Sequence, residues 1–240
     1  MKNVVAISGG LASAIMANSV LSKIDDNAEL VFTDTKWEDP DLYRFLDDLE
    51  SYWGIEITRL SDGRNPEQLF YDEGILGSNR VPICSRLLKA KILQEYVKKY
   101  DSVTVYFGID LSEEHRAPRI TNIYDQLKVY TRFPLIEKRV FSNKKQFAWE
   151  VEENWGIVIP RLYREGFPHN NCNGGCVRQG EKYWKHLLRI RPAVFEDRAR
   201  IEREFKNGKY TFMKKMSLDE LREREESQME LSIGRGNVKT

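Results

Sequence analysis

The stretch Asn3-Val4-Val5-Ala6-Ile7-Ser8-Gly9-Gly10-Leu11-Ala12-Ser13 decides the fold. Residues 3–7 are a compact β-branched run of the kind that makes a buried strand, and it stops at a serine and two glycines. From Leu11 to about residue 22, apolar and small residues recur at helical spacing. Strand, glycine turn and helix follow in direct succession. Glycines at such a corner let the backbone bend tightly and approach an anion, which the N–H groups of the turn and the helix N-terminus then face. The hydroxyls of Ser8 and Ser13 add hydrogen-bonding capacity. Taken alone, Ser-Gly-Gly serves a plain structural corner equally well.

Working outward, a second apolar run over residues 29–32 ends at Thr33-Asp34-Thr35. Asp39 then offers an N-cap and Pro40 a first helical position, with Leu42, Phe45, Leu46 and Leu49 as the apolar stripe. Gly54 closes this helix, and residues 55–60 alternate as a strand does. Residues 61–82 read as loop broken by a short helix, and 84–99 as a helix. Residues 102–107 form a strong strand that ends at Gly108-Ile109-Asp110.

This alternation predicts an α/β fold, a doubly wound and mostly parallel sheet with helices on both faces. In such sheets the ligand crevice lies beyond the carboxyl ends of the strands, where Ser8-Gly9-Gly10, Asp34 and Gly108 fall. After about residue 135 the alternation fades. A helix over 144–155 leads to a Gly-, Asn- and Pro-rich loop over 160–178. Another helix begins near Gly180, and charged helices cover 192–205 and 217–229, with a frayed end at 234–240. The chain divides into an α/β domain, 1–140, and a cysteine-containing loop with a charged helical region, 141–240.

The balance of 38 Lys and Arg against 37 Asp and Glu gives no strong overall field, so a purely electrostatic nucleic-acid binder is not indicated. The Arg and Lys of the C-terminal third read first as a solvated helix face. No apolar stretch approaches the ~20 residues that span a bilayer, and the opening residues lack a signal-peptide pattern. A cytoplasmic, reducing setting is expected, in which the three cysteines are core residues, ligands or reactive thiols. Oligomeric state is not legible.

Ser8-Gly9-Gly10-Leu11-Ala12-Ser13 resembles the PP-loop, SGGxDS, of ATP pyrophosphatases and their relatives, the adenine nucleotide alpha hydrolases. Ala12 stands where that family usually has Asp, which bears on pyrophosphate cleavage more than on nucleotide binding. Val31-Phe32-Thr33-Asp34-Thr35 resembles the segment beside the adenosine in the phosphoadenosine-phosphosulfate reductase branch. Gly108, with Glu113 and Arg116 downstream, resembles that branch's later motif, and Arg116 suits bidentate phosphate contact. Cys84-Ser85-Arg86-Leu87-Leu88-Lys89 resembles its C-[ST]-x-x-L-K segment, in which Arg86 and Lys89, three apart on a helix, would clasp an anionic group.

The resemblance implies a Rossmann-like, HUP-type fold that binds ATP or a related adenine nucleotide with Mg²⁺. It assigns Ser8, Gly9, Gly10, Ser13, Asp34, Thr35, Gly108, Glu113 and Arg116 to the nucleotide. The activity implied is adenylation of a substrate or sulfur transfer to it. A sulfonucleotide reductase-like enzyme is the alternative, with Cys84 or Cys176 as its thiol. A non-catalytic nucleotide- or nucleic-acid-binding protein is the third reading. The acceptor stays open, a nucleic acid included.

Cys172 and Cys176 sit in His169-Asn170-Asn171-Cys172-Asn173-Gly174-Gly175-Cys176, two thiols that can turn onto one metal or cluster. With Cys84 as third ligand they suit a [4Fe–4S] cluster with one open iron, as in thiolation enzymes of the wider superfamily. A zinc site completed by His169, or free thiols, are the other readings. The following stretch to Trp184 mixes cations with aromatics, which fits nucleotide stacking or, more simply, packing onto the sheet.

Overall fold

The computed structural model describes residues 1–140 and 143–236. Of the end expected to fray, residues 237–240 lie outside the described residues. Five strands form one sheet in the order β3-β2-β1-β4-β5. They are β1 (Lys2–Ile7), β2 (Glu29–Asp34), β3 (Ile57–Ser61), β4 (Val103–Phe107) and β5 (Tyr130–Arg132), and every pairing is parallel. Val5 of β1 pairs with Leu30 on one side and Tyr106 on the other. A central strand in a parallel sheet is covered on both faces, which is why residues 3–7 are continuously apolar after Asn3. The short edge strand β5 has no such run and was not anticipated.

Helix α1 (Leu11–Lys23) connects β1 to β2, and α2 (Pro40–Trp53) connects β2 to β3. Asp39 caps α2 through its side chain, which accepts from Asp41 N–H at 2.8 Å, and Gly54 ends it in the left-handed conformation. After β3 come α3 (Pro66–Glu73) and then a continuous helical segment, π-helical over Ser85–Lys91 and α-helical as α4 over Ile92–Val97. The chain thereby crosses from β3 to β4 on the far side of β1. The strand order reverses at β1/β4, so the crevice of the sheet opens at their carboxyl ends.

Beyond β4 lie a 3₁₀ turn (Leu111–Arg116), α5 (Ala117–Asp125), β5 and α6 (Pro134–Glu137). Helix α7 (Lys144–Trp149) and a π turn over Glu150–Asn154 follow, then α8 (Arg161–Arg164). Phe147, Val151, Trp155, Ile157 and Ile159 share one core with β1, α1 and α2. The charged region supplies α9 (Glu181–Ile190), α10 (Pro192–Glu204) and α11 (Leu218–Gly236), the last running beyond its expected end. These helices pack with α3 and the π segment around Trp184, Phe195 and Phe205. Among the described residues no helix is long and apolar enough to cross a membrane.

Candidate functional site

The corner at Ser8–Ser13 is stitched from within. The Ser13 hydroxyl accepts from Ser8 N–H at 3.1 Å and donates to the Gly10 carbonyl at 2.8 Å. Ser13 is therefore buried and holds the turn, while Ser8 is exposed. Gly9 takes a positive φ of 73°, and a Cβ there would lie 2.7 Å from Leu42. Gly108, at the end of β4, meets the first turn of α1 so closely that a Cβ would lie 2.7 Å from Ser13 Cα. Its role is close approach at the β1/β4 switch point.

Two residues that sequence reasoning missed close this loop from the far part of the chain. The Tyr163 hydroxyl on α8 accepts from Leu11 N–H at 3.2 Å, and burial raises its pKa. Asn170 donates its amide to the Gly9 carbonyl at 2.7 Å. Helix α8 is held there by Asp39 and Asp41. Asp41 accepts Arg161 N–H at 2.7 Å, and Asp39, fully buried, pairs with Arg161 at 2.8 Å and with Arg191. Arg191 also binds Glu165 and the side chain of Asn173. A buried carboxylate is tolerable only with such partners.

A cavity of about 530 Å³ is lined by residues drawn from between Thr35 and Tyr183. Thr35 comes from the end of β2, Cys84 and Lys89 from the π segment, Glu113 and Arg116 from the 3₁₀ turn. His169, Cys172, Cys176 and Arg178 come from the loop before α9. Asn170, which touches Gly9, sits between the wall residues His169 and Asn171, so loop and cavity are contiguous along the chain. Burial holds the His169 pKa below its ordinary value, with Lys144 adding to that effect.

Glu38, just before α2, organises the cavity floor. Its side chain has no exposed surface. One oxygen accepts from the Thr35 hydroxyl at 3.0 Å and from Lys89 at 2.9 Å, and the other from Cys172 N–H at 2.5 Å. Burial works against the Lys89 charge, yet Glu38 and the thiols at 172 and 176 raise its pKa above the ordinary value. Nothing in the acidic pair Glu38-Asp39 ahead of Pro40 separates this role from ordinary helix capping, so the sequence hid it.

Cys172, Asn173 and Gly174 form a left-handed turn, with φ of 49°, 54° and 78°. For the two non-glycine residues this costs on the order of 1 kcal/mol each or more. The turn is held from both sides. Glu38 takes Cys172 N–H, and buried Arg198 donates to the carbonyls of Gly175 and Cys172 at 3.2 and 3.4 Å while stacking on Trp37. The Cys172 and Cys176 thiols line the same cavity, and each affects the ionisation of the other. Interaction with Cys172, helped by Arg178 N–H and Lys89, draws Cys176 down to about 7 against the pull of burial. The same interaction and burial push Cys172 up, and burial pushes Cys84 up to about 11.

Several expectations need adjustment. Arg86 and Lys89 do not form a clasp. A π-helix closes i→i+5 hydrogen bonds, so residues three apart no longer stand one above the other; Lys89 reaches the cavity and Arg86 is exposed. Asp34 accepts Lys36 N–H and the Tyr43 hydroxyl, at 2.7 and 2.8 Å, instead of lining the cavity. Glu113 and Arg116 pair with each other at 2.6 Å at its rim. Among the described residues no three His, Cys, Asp or Glu side chains gather closely enough to hold a metal ion. Zinc on Cys84, Cys172, Cys176 and His169 is therefore not shown, since its ligands converge to ~2.0–2.3 Å from one centre.

The three thiols line one cavity without forming such a ligand set, which also leaves the cluster reading unsupported. What the structure offers is two thiols of one loop, Cys172 and Cys176, in the wall of a single cavity. Trp184 is core, stacked on Phe212 at 5.7 Å. Among the described side chains, cations of α10 and α11 are engaged in ion pairs within the chain, Arg200 with Glu67 and Arg203 and Arg222 with Glu196 and Asp219.

The family profile of the phosphoadenosine phosphosulfate reductase domain matches residues 2–170. The chain belongs to that family, a branch of the PP-loop superfamily. Among curated proteins it is similar to uncharacterized protein MJ0066 of Methanocaldococcus jannaschii, 25% identical over 170 residues. It is also similar to uncharacterized protein MJ0973 of the same organism, 24% identical over 173 residues. Each match covers 70% of this chain but only 35% and 39% of the relative, so the chain spans little more than a third of their length.

Proposed function

We propose that the protein is a sulfonucleotide enzyme that holds an adenine nucleotide on Ser8–Ser13 and presents its sulfur to the Cys176 thiolate. The observation that carries this reading is the cavity in which Cys176, with a pKa near neutral, lies with Lys89, Arg116 and Arg178, joined to the phosphate loop through Asn170 on Gly9. A thiolate at working pH is the form that attacks electrophilic sulfur. The cations favour an anionic ligand and offset the charge that accumulates as a sulfonate is attacked. The glycine corner and the N-terminus of α1 suit a phosphate. Cys84 is the poorer nucleophile, because burial keeps it protonated until about 11.

The test is sulfite release from phosphoadenosine phosphosulfate with an external dithiol as reductant. Turnover should vanish in Cys176→Ser and persist in Cys84→Ser; sulfite from Cys176→Ser at the wild-type rate would refute the assignment. A second reading, ATP-dependent adenylation, draws support from the same backbone cradle. It loses support at Ala12, since residues 8–13 carry no carboxylate to place Mg²⁺. Pyrophosphate released from ATP by the wild-type chain would favour it.

A further inference from the structure

We propose that Cys172 is a resolving thiol for Cys176, so that the two form a dithiol that closes to an internal disulfide during the reaction. The inference rests on the sulfonucleotide reading for its physiological electrophile, but its chemistry is testable without it. Three observations carry it. The two thiols, separated by three residues of one loop, line the same cavity. Cys172 is buried while Cys176 is partly exposed, so one sulfur meets a ligand in the cavity and the other stands behind it. The left-handed turn at Cys172 is fixed by Glu38 on its N–H and by Arg198 on its carbonyl. Cys84 lines the same cavity but belongs to a different element, the start of the π segment.

In the first step the Cys176 thiolate attacks the sulfonate sulfur. An S–S bond forms, the S–O bond to the nucleotide breaks, and the nucleotide leaves with the electron pair on its phosphate oxygen. In the second step the Cys172 sulfur attacks Cys176 Sγ. The Cys172–Cys176 disulfide forms, and sulfite leaves with the bond's electron pair and takes up the Cys172 proton. Sulfur(VI) is reduced by two electrons and two thiols are oxidised by two. An external dithiol then reduces the disulfide by exchange and resets the pair. The arrangement suits exchange chemistry, which is favoured when the attacking thiol ionises near the ambient pH and is accessible.

The experiment uses the reduced full chain and glutathione disulfide as probe, read by intact mass and peptide mapping. The wild-type chain and Cys84→Ser should end with a 172–176 disulfide and no retained glutathione, whereas Cys172→Ser and Cys172→Ala should retain glutathione on Cys176. A wild-type chain that keeps glutathione on Cys176, or resolves it through Cys84, would overturn the proposal, and this readout needs no variant. The same chains are then given phosphoadenosine phosphosulfate without external reductant. Wild type should release a single equivalent of sulfite, and Cys172→Ser should hold a sulfonate on Cys176. If the glutathione pattern appears but no sulfonate is ever transferred, the dithiol stands and the sulfonucleotide reading falls.

Discussion

Replacing Glu38 by glutamine tests the arrangement at its centre, because one buried carboxylate serves three donors there. One oxygen takes Thr35 and Lys89, the other Cys172 N–H. Glutamine keeps a single acceptor oxygen, so whichever way it turns, an NH₂ group faces a donor. Against Cys172 N–H, that leaves a buried amide unpaired, a cost of about 1–3 kcal/mol. Against Lys89 the loss is smaller, because the lysine side chain keeps 30% of its surface in water. We expect a net loss of about 2 kcal/mol, which lowers the Tm of a chain this size by roughly 4–8 °C. Denaturant unfolding and thermal melts of Glu38→Gln measure it. A second readout separates the site from bulk stability. Glu38 is one of the charges that oppose ionisation of Cys176, and Lys89 favours it. Removing the carboxylate charge should therefore move the midpoint of Cys176 alkylation below about 7. A variant within ~0.5 kcal/mol of wild type, with an unshifted midpoint, would refute the role assigned to Glu38.

Other outcomes follow from the same geometry. Gly108→Ala places a Cβ 2.7 Å from Ser13 Cα, so α1 and β4 must part; stability should fall by about 1–3 kcal/mol and adenine-nucleotide affinity with it, as calorimetry would record. In wild type, iodoacetamide should modify Cys176 with a midpoint near pH 7 and leave Cys84 untouched until far more alkaline pH, since burial holds that thiol up to about 11. Equal rates for the two cysteines at neutral pH would contradict this. Glu202 is buried among backbone donors, and burial raises its carboxyl from 4.5 to about 7. A carboxyl whose folded pKa is raised stabilises the fold while protonated. Roughly 3 kcal/mol should be lost as pH rises from below 4.5 through about 7, and Glu202→Gln should flatten unfolding free energy across that range.

Much of the fold was legible because its signals are local. The apolar run into Ser8-Gly9-Gly10, the Asp39-Pro40 start and the Gly54 stop each depend on a few adjacent residues, and all three recur in the structure. Strand β5 escaped notice because three residues with partly exposed side chains carry no hydrophobic pattern. The π-helical stretch over Ser85–Lys91 escaped too, since i→i+5 bonding leaves no mark on apolar spacing, and it separated Arg86 from Lys89. In the site, the phosphate loop was readable and its clamps were not. Tyr163 and Asn170 touch the loop from more than 150 positions away, at separations of 152 and 161 residues. The cysteines could be singled out by type and spacing. Which of them ionises could not, because that depends on Lys89, Glu38 and the left-handed turn, which only the fold brings together.

Whether the phosphate loop and the cysteine cavity act as one site is tested most directly by the rate of Cys176 alkylation at neutral pH with and without bound nucleotide. Adenosine bisphosphate, the product of sulfonate loss, serves as an unreactive ligand, with its binding followed in parallel by calorimetry. If the account holds, saturating nucleotide slows modification of Cys176 several-fold, and Gly108→Ala weakens that protection in step with its affinity. Nucleotide that binds while Cys176 reacts at an unchanged rate would contradict it.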